Sequence, residues 1–78
     1  MSRYRVYVTL KPSLLDPAGR AIGDSLRTLG FSNVRDVRIG KLIELSLEDG
    51  NQEQVEEMCR KLLSNPVIER FDIEEDST

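Results

Sequence analysis

The spacing of apolar residues changes between two periods along this chain, and these changes constrain its fold more than any other feature. Near the N-terminus, apolar and polar residues alternate, as is typical of a strand with one buried face. The alternating apolar residues are Tyr4, Val6, Val8 and Leu10. The next apolar residues recur every three or four positions, which predicts an amphipathic helix that ends at Gly30. This stripe consists of Ala18, Ala21, Ile22, Ser25, Leu26 and Leu29.

The middle of the chain predicts two strands, residues 34–39 and 42–48, joined around Gly40 and Lys41. The apolar residues of the second strand should share a buried face with Val37 and Ile39. A loop of three residues or a bulge is needed for that register, because a two-residue loop would turn one apolar set to the other face.

The rest of the chain predicts a second helix and a last strand. Asn51 can cap the helix, with Gln54 placed to reach back, and Asn65-Pro66 ends it. Its predicted buried stripe is Val55, Met58, Cys59, Leu62 and Leu63. The last strand has Val67, Phe71 and Ile73 on its inner side, together with Glu69. Residues 74–78 are mostly acidic, and we expect them to form a frayed tail.

The predicted order is strand, helix, strand, strand, helix, strand, in one domain that spans residues 1–78. Helices with a single apolar stripe can both cover one face of a four-stranded antiparallel sheet. The fold class is therefore predicted to be α+β, a two-layer sandwich with the ferredoxin-like β-α-β-β-α-β arrangement.

Composition narrows the possible functions. The net charge is −3, and the basic residues are scattered among acids, whereas a nucleic-acid binder is more often basic with clustered charge. No apolar run approaches the ~20 residues of a membrane span. One cysteine and no histidine nearly exclude disulfide and metal stabilisation, which leaves association with other chains to support a small core. Since Met1-Ser2 leads directly into a strand pattern, no signal peptide is expected, and we expect a cytoplasmic location.

The sequence offers few groups for catalysis. Cys59 lies within the predicted buried stripe, so it is interpreted as a core thiol. No CxxC pair or glycine-rich phosphate loop is present. On the outer sheet face, Tyr7 stands nearly alone among charged residues, whereas RNA-binding domains of this topology stack bases on several aromatic residues. We therefore predict no catalytic residue, no bound cofactor and no metal site in this chain.

Two short segments contain residues that folding alone does not require. In "LLDPAGRAI", residues 14–22, Asp16 can cap the helix and Pro17 suits its first position. Gly19 and Gly23 lie on one flank of the helix, where small residues would let another backbone approach closely. We predict that Gly19→Leu weakens dimerisation or docking more than it weakens the fold.

The second segment is "DVRIGK", residues 36–41, in which Arg38 and Lys41 frame a glycine turn. A positively charged turn could contact a phosphate or an acidic partner surface. A solvated turn is the alternative interpretation, because exposed charges are ordinary in turns.

These two segments and "NPVIERF" together resemble the PurS family, the small subunit of phosphoribosylformylglycinamidine synthase. The family's Leu-Asp-Pro-x-Gly pattern falls on residues 15–19, its Val-Arg-Ile/Val-Gly-Lys pattern on residues 37–41, and its Asn-x-Val-Ile-Glu pattern on residues 65–69. The resemblance extends from the first strand to Ile73.

The resemblance implies a role in the fourth step of purine synthesis. The synthase makes formylglycinamidine ribonucleotide from formylglycinamide ribonucleotide, ATP and glutamine. The expected partners are a glutaminase subunit (PurQ-like), an ATP-dependent synthetase subunit (PurL-like) and a second copy of this chain, as a homodimer or higher homo-oligomer. The complex would use ATP, magnesium and glutamine, and this chain would bridge the larger subunits and support ammonia transfer. The candidate partner contacts are Asp16, Pro17, Gly19, Gly23, Arg38, Gly40, Lys41, Asn65 and Glu69.

Two other functions are compatible with this topology. An ACT-type regulatory module binds amino acids at dimer interfaces, although such a module is usually fused to an enzyme. A small acylphosphatase-like hydrolase needs a phosphate-binding loop after the first strand, and residues 10–13 offer no glycine-rich loop of that kind.

Overall fold

The fold of residues 1–76 is described by a computed structural model. In chain order the elements are β1 (Ser2–Leu10), α1 (Pro17–Thr28), β2 (Gly40–Leu47), α2 (Gln52–Met58) and β3 (Glu69–Asp76). A π-helical turn, Cys59–Leu63, continues α2. The α+β class is confirmed. Among these residues, no helix is long and apolar enough to cross a membrane.

The sheet is antiparallel and has β1 at its centre, in the order β2-β1-β3. Val6 lies opposite Ile43 of β2 and Ile73 of β3, so all three strands turn apolar residues to the same face. The predicted alternation in β1 is confirmed, because Tyr4, Val6 and Val8 are buried.

The second helix covers only part of this face. Asn51 caps α2 by accepting a hydrogen bond from the Gln54 N–H at 2.9 Å. Val55 and Cys59 are fully buried and complete the core with the apolar residues of β1. The widened turn after Cys59 is closed by the Ser64 N–H, which donates to the Cys59 carbonyl at 2.9 Å.

The first helix does not lie over the sheet, and the prediction that both helices cover one face is wrong in this respect. Helix α1 makes no contact with the sheet comparable with that of α2 on β3. The molecule extends over 48 × 30 × 13 Å, and its radius of gyration is 15.7 Å. A compact chain of this length would have a radius of about 11.5 Å. Residues 14–39, here called the arm, therefore project away from the body that the sheet and α2 form.

The predicted strand at residues 34–39 is also absent, so the sheet of the described residues has three strands and not four. This segment, here called the return segment, runs back along α1 instead. Its Val37 packs against the glycine flank of α1, and its Ile39 N–H donates to Asp16. These contacts with the helix take the place of the predicted hairpin. The prediction failed because apolar alternation does not specify which element a strand-like segment packs on.

The acidic end of the chain differs from the prediction as well. Glu74 and Asp76 belong to β3, and each accepts a hydrogen bond from the Arg5 guanidinium, at 3.0 and 3.2 Å respectively. These ion pairs across neighbouring strands extend β3 beyond its apolar residues. The part of the predicted tail at residues 77–78 lies outside the described residues.

Candidate functional site: the base of the arm

Asp16 joins the start of α1 to the end of the return segment. One carboxylate oxygen accepts a hydrogen bond from the Gly19 N–H at 2.9 Å, which is the predicted helix cap. The other accepts from the Ile39 N–H at 2.8 Å. The Ile39 and Gly19 N–H groups, followed by the nearby Arg38 guanidinium, lower the pKa of Asp16, because all three stabilise the charged form. Pro17 occupies the first helical position as predicted.

The glycine flank of α1 is occupied by the chain's own return segment. Gly19 is buried, and a Cβ atom there would collide with the Val37 carbonyl oxygen. At Gly23 a Cβ would lie 3.4 Å from the Val37 side chain, and the Arg27 guanidinium donates to the Val34 carbonyl at 2.9 Å. The backbone that approaches this flank closely therefore belongs to the same chain and not to a partner. A role of either glycine in contacting a partner stays a prediction.

Arg38 also lies at the base of the arm, here called the arm base, where the chain leaves β1 and returns to β2. Its guanidinium donates to the carbonyls of Leu14 at 3.1 Å and Lys11 at 3.0 Å. These two residues lie in the segment through which the chain leaves β1, so Arg38 ties the outgoing segment to the returning one. We refer to the Asp16 and Arg38 hydrogen bonds together as the clasp.

The remaining predicted residues lie at the same end of the sheet. Lys41 and Glu69 form an ion pair at 3.7 Å on the inner face. Glu69 also accepts a hydrogen bond from the Asn65 N–H at 2.7 Å, and the Asn65 side chain accepts from the Val67 N–H at 3.0 Å. Gly40 begins β2, where a Cβ would lie 2.5 Å from a backbone carbonyl oxygen of β1. The structure therefore gathers all three motif segments around the arm base.

The arm base also contains a cleft of about 480 Å³ between the loop after β1, the start of α1 and the return segment. Arg20, Arg35 and Asp36 contribute to its lining. Among residues 1–76, no cluster of histidine, cysteine and acidic residues could hold a metal ion. Cys59 is buried in the body, and burial raises the pKa of its thiol, which disfavours the reactive thiolate. The geometry of the arm base serves to position segments of chain.

A second surface was missed by the sequence predictions. Beside β2 and α2 lies a groove of about 500 Å³, here called the groove. It is lined by Leu45, Gln54, Glu57, Met58, Lys61, Leu62 and Leu63. The signal for it was present as the inner face of β2 and the far edge of the α2 stripe. The sequence pattern predicts that both are covered by α1 of the same chain.

Comparison with known proteins adds an independent line of information. The family model for "PurS: Phosphoribosylformylglycinamidine (FGAM) synthase" matches residues 3–77. The PurS subunit of this synthase from Bacillus subtilis is 46% identical, over 96% of this chain and 95% of the relative. The corresponding subunit from Synechocystis is 51% identical, over 86% of this chain and 71% of the relative.

Solved structures agree with these matches. A crystal form of Bacillus subtilis PurS superposes with a TM-score of 0.88 at 44% identity, covering 99% of this chain and all of that chain. A chain in the structure of PurLQS from Thermotoga maritima superposes with a TM-score of 0.85 at 32% identity, covering 96% of each. None of these matches supports the ACT-type alternative.

Proposed function

Because this chain belongs to the PurS family of phosphoribosylformylglycinamidine synthase subunits, we propose that it is the small, non-catalytic assembly subunit of that synthase. In this role it bridges a PurQ-like glutaminase and a PurL-like synthetase and supports the transfer of ammonia between them in purine biosynthesis. The observation that carries the proposal is the superposition on a chain of the Thermotoga maritima PurLQS structure, at 32% identity over nearly the whole length.

The design of the arm base is consistent with this role. The motif residues that characterise the family fix the direction of a projecting arm through hydrogen bonds within the chain. A subunit of this kind contributes surfaces at defined positions. We propose that the arm base itself meets a larger subunit, since Leu15, Val67 and Lys41 are exposed there beside the clasp.

The chemistry of the reaction is then assigned to the larger subunits. ATP, magnesium and glutamine are used by the complex, and this chain binds none of them. Such a complex works with soluble metabolites, so we place it in the cytoplasm. Its partners are the two larger subunits and further copies of this chain, without nucleic acid or membrane.

Reconstitution tests the assembly role directly. The purified chain is mixed with the PurL-like and PurQ-like subunits, ATP and magnesium, and turnover is measured with either glutamine or ammonium chloride as nitrogen source. We expect glutamine-dependent turnover to require this chain, while turnover at high ammonium concentration does not. Size-exclusion chromatography should show all three chains in one complex.

The two nitrogen sources act as matched controls for each other. Loss of both activities on omission of this chain would indicate that it is needed by the synthetase reaction itself. Full glutamine-dependent turnover in its absence would contradict the bridging role.

A further inference from the structure

We propose that the cleft at the arm base binds a small organic molecule through its phosphate monoester group, and that Arg20 and Arg35 hold this phosphate. The ligand is distinct from the ATP, magnesium and glutamine that are assigned to the larger subunits. The site goes beyond the assembly role and is measured on this chain alone, so each of the two proposals can fail without the other.

The cleft has the size of a ligand pocket. Its volume is about 480 Å³, and pockets for small organic molecules typically measure about 300–1,000 Å³. Three segments form its walls, namely the loop after β1, the first turns of α1 and the return segment. A phosphate group would fill only part of this volume, so an organic group has room beside it.

The lining of the cleft is positively charged, although the chain as a whole is negatively charged. Four arginines and two aspartates line the cleft, which gives the lining a net charge of +2. The net charge of the whole chain is −3, so the remaining residues together carry −5. The positive charge is therefore concentrated at one concave site, which attracts an anion with two negative charges.

Two of these arginines have no partner in the part of the chain that the structure describes. Arg20 on α1 and Arg35 on the return segment are exposed, and neither forms an ion pair or a side-chain hydrogen bond there. The Ser13 hydroxyl, in the loop after β1, has no hydrogen-bond partner among these residues either. Each wall of the cleft therefore contributes a donor that is available to a ligand.

The acidic residues of the lining leave these donors available. Asp16 directs its two carboxylate oxygens to the Gly19 and Ile39 N–H groups. Asp36 forms no ion pair within residues 1–76. Arg38 donates to two backbone carbonyls, which are uncharged. An incoming anion therefore meets several guanidinium groups that are not paired with a carboxylate.

The available donors match a phosphate monoester better than a carboxylate. A phosphate monoester has up to two negative charges and three acceptor oxygens, whereas a carboxylate has one charge and two oxygens. Planar guanidinium groups bind such oxygens in pairs. With Arg20, Arg35 and Ser13 on three walls, each phosphate oxygen has a donor. Leu14 and Val37 of the lining are apolar and suit the organic group.

The clasp fixes the walls of the cleft before a ligand binds. Asp16 holds the return segment to the start of α1, and Arg38 holds it to the segment that follows β1. A site that is organised in advance loses little conformational entropy on binding. The clasp residues therefore position the walls, and Arg20 and Arg35 contact the ligand.

Titration of the purified chain with phenyl phosphate, inorganic phosphate and benzoate tests the site. Calorimetry gives the dissociation constants, and amide chemical shifts locate the binding residues. We expect saturable binding of phenyl phosphate that shifts the Ser13, Gly19 and Arg35 amides. Inorganic phosphate lacks the organic group and should bind more weakly. Benzoate has a carboxylate on the same ring and should bind at least about tenfold more weakly than phenyl phosphate.

Substitution of single arginines makes the test specific to the cleft. Arg20→Met and Arg35→Met each remove a guanidinium without a partner among the described residues, so far-UV circular dichroism should show an unchanged fold. We expect each change to raise the dissociation constant of phenyl phosphate at least about tenfold, because a charge-assisted hydrogen bond is lost. Arg60→Met is the matched control, because it removes the same charge outside the cleft. It should change the constant by less than about twofold.

Four results would overturn the proposal. The first is the absence of saturable binding of phenyl phosphate up to about 10 mM. The second is binding of benzoate as tight as that of phenyl phosphate, which would indicate an acidic side chain of a protein as the occupant. The third is tighter binding of inorganic phosphate than of the ester. The fourth is an affinity that Arg20→Met and Arg35→Met change no more than Arg60→Met does.

Discussion

At the scale of single residues, Asp16 shows how one side chain serves two elements. A helix cap needs only one carboxylate oxygen, and Asp16 uses its second oxygen to hold Ile39 of the return segment. Gly19 has a similar double role, because it lies in the helix and also leaves room for the Val37 carbonyl. Local sequence rules account for the first role of each residue, and the tertiary contacts account for the second.

The pH dependence of stability should reveal the double role of Asp16. Its pKa is lowered in the folded state, so its contribution to stability is present above the unfolded value of 3.8 and is lost as pH falls through the lower folded pKa. Asp16→Asn keeps one acceptor oxygen and loses the second. We expect the variant to have a lower free energy of unfolding at neutral pH and the gap to narrow below pH 3.8.

Urea unfolding of both proteins across that pH range measures the gap. Asp24→Asn on the same helix is the control, because its carboxylate pairs with Arg27 on the exposed surface. Exposed pairs are worth little, so this control should differ from the unaltered chain by less than ~1 kcal/mol. A gap for Asp16→Asn that does not change with pH would contradict the assigned role.

Substitution of the two arm glycines should separate packing from helix propensity. An alanine Cβ at Gly19 would collide with the Val37 carbonyl, so Gly19→Ala should destabilise the chain by about 1–3 kcal/mol. At Gly23 the nearest atoms would be 3.3–3.4 Å away, on side chains that can adjust. Gly23→Ala should therefore stay within ~1 kcal/mol of the unaltered chain. Thermal unfolding compares the two, and equal effects would contradict the close approach at Gly19.

At the scale of elements, the arm is held by side-chain hydrogen bonds between segments that lie outside the strands. The return segment has no strand partner, yet Arg27, Asp16 and Arg38 fix it to α1 and to the segment that follows β1. Helix α1 ends at Thr28 and is followed by Gly30, whose φ of 107° suits a glycine. The Phe31 N–H donates to the Leu26 carbonyl at 3.1 Å. These local devices make the arm a defined unit before it meets any partner.

Removal of the Arg38 side chain should loosen the arm at its base. Arg38→Met loses two hydrogen bonds to carbonyls, so we expect a loss of about 1–2 kcal/mol and faster hydrogen exchange at the Ile39 amide. Arg38→Lys should restore little, because an ammonium lacks the planar fork that reaches both carbonyls. Arg35→Met, at an exposed arginine of the same segment, is the control and should change stability by less than ~0.5 kcal/mol. Unchanged exchange at Ile39 in Arg38→Met would show that the clasp does not hold the arm.

At the scale of the whole molecule, the chain is extended because α1 does not lie over the sheet. The helical layer on the sheet is therefore incomplete. The core consists of Tyr4, Val6, Val8, Val55 and Cys59. A core of this size gives a marginal domain, since small chains bury a low fraction of their surface. Association with another chain would cover more apolar surface and couple folding to association.

Thermal stability should therefore depend on protein concentration. When the folded state is a dimer, mass action raises the unfolding midpoint as total protein increases. We expect the midpoint of the unaltered chain to rise over a hundredfold concentration range. Calorimetry or circular dichroism measures the midpoint at each concentration. A concentration-independent midpoint for the unaltered chain would contradict its self-association.

The sequence by itself determined the local elements and the family. The alternation in β1, the Asp16 and Asn51 caps, the Gly30 helix end and the burial of Cys59 follow from interactions within a few residues, or from one apolar face that must be covered. The three motif segments also identified the family from residue type and spacing. These predictions succeeded because their physical causes are local.

Only the tertiary structure decided where α1 and residues 34–39 go. Both have apolar patterns that require burial, and a pattern does not say whether the covering surface belongs to the same chain. The direction of the arm depends on contacts between residues distant in sequence, such as Arg38 with Lys11 and Asp16 with Ile39. The stretch around Asp16 caps a helix, as its sequence predicts. The structure adds that the same stretch anchors an arm that leaves its own core uncovered.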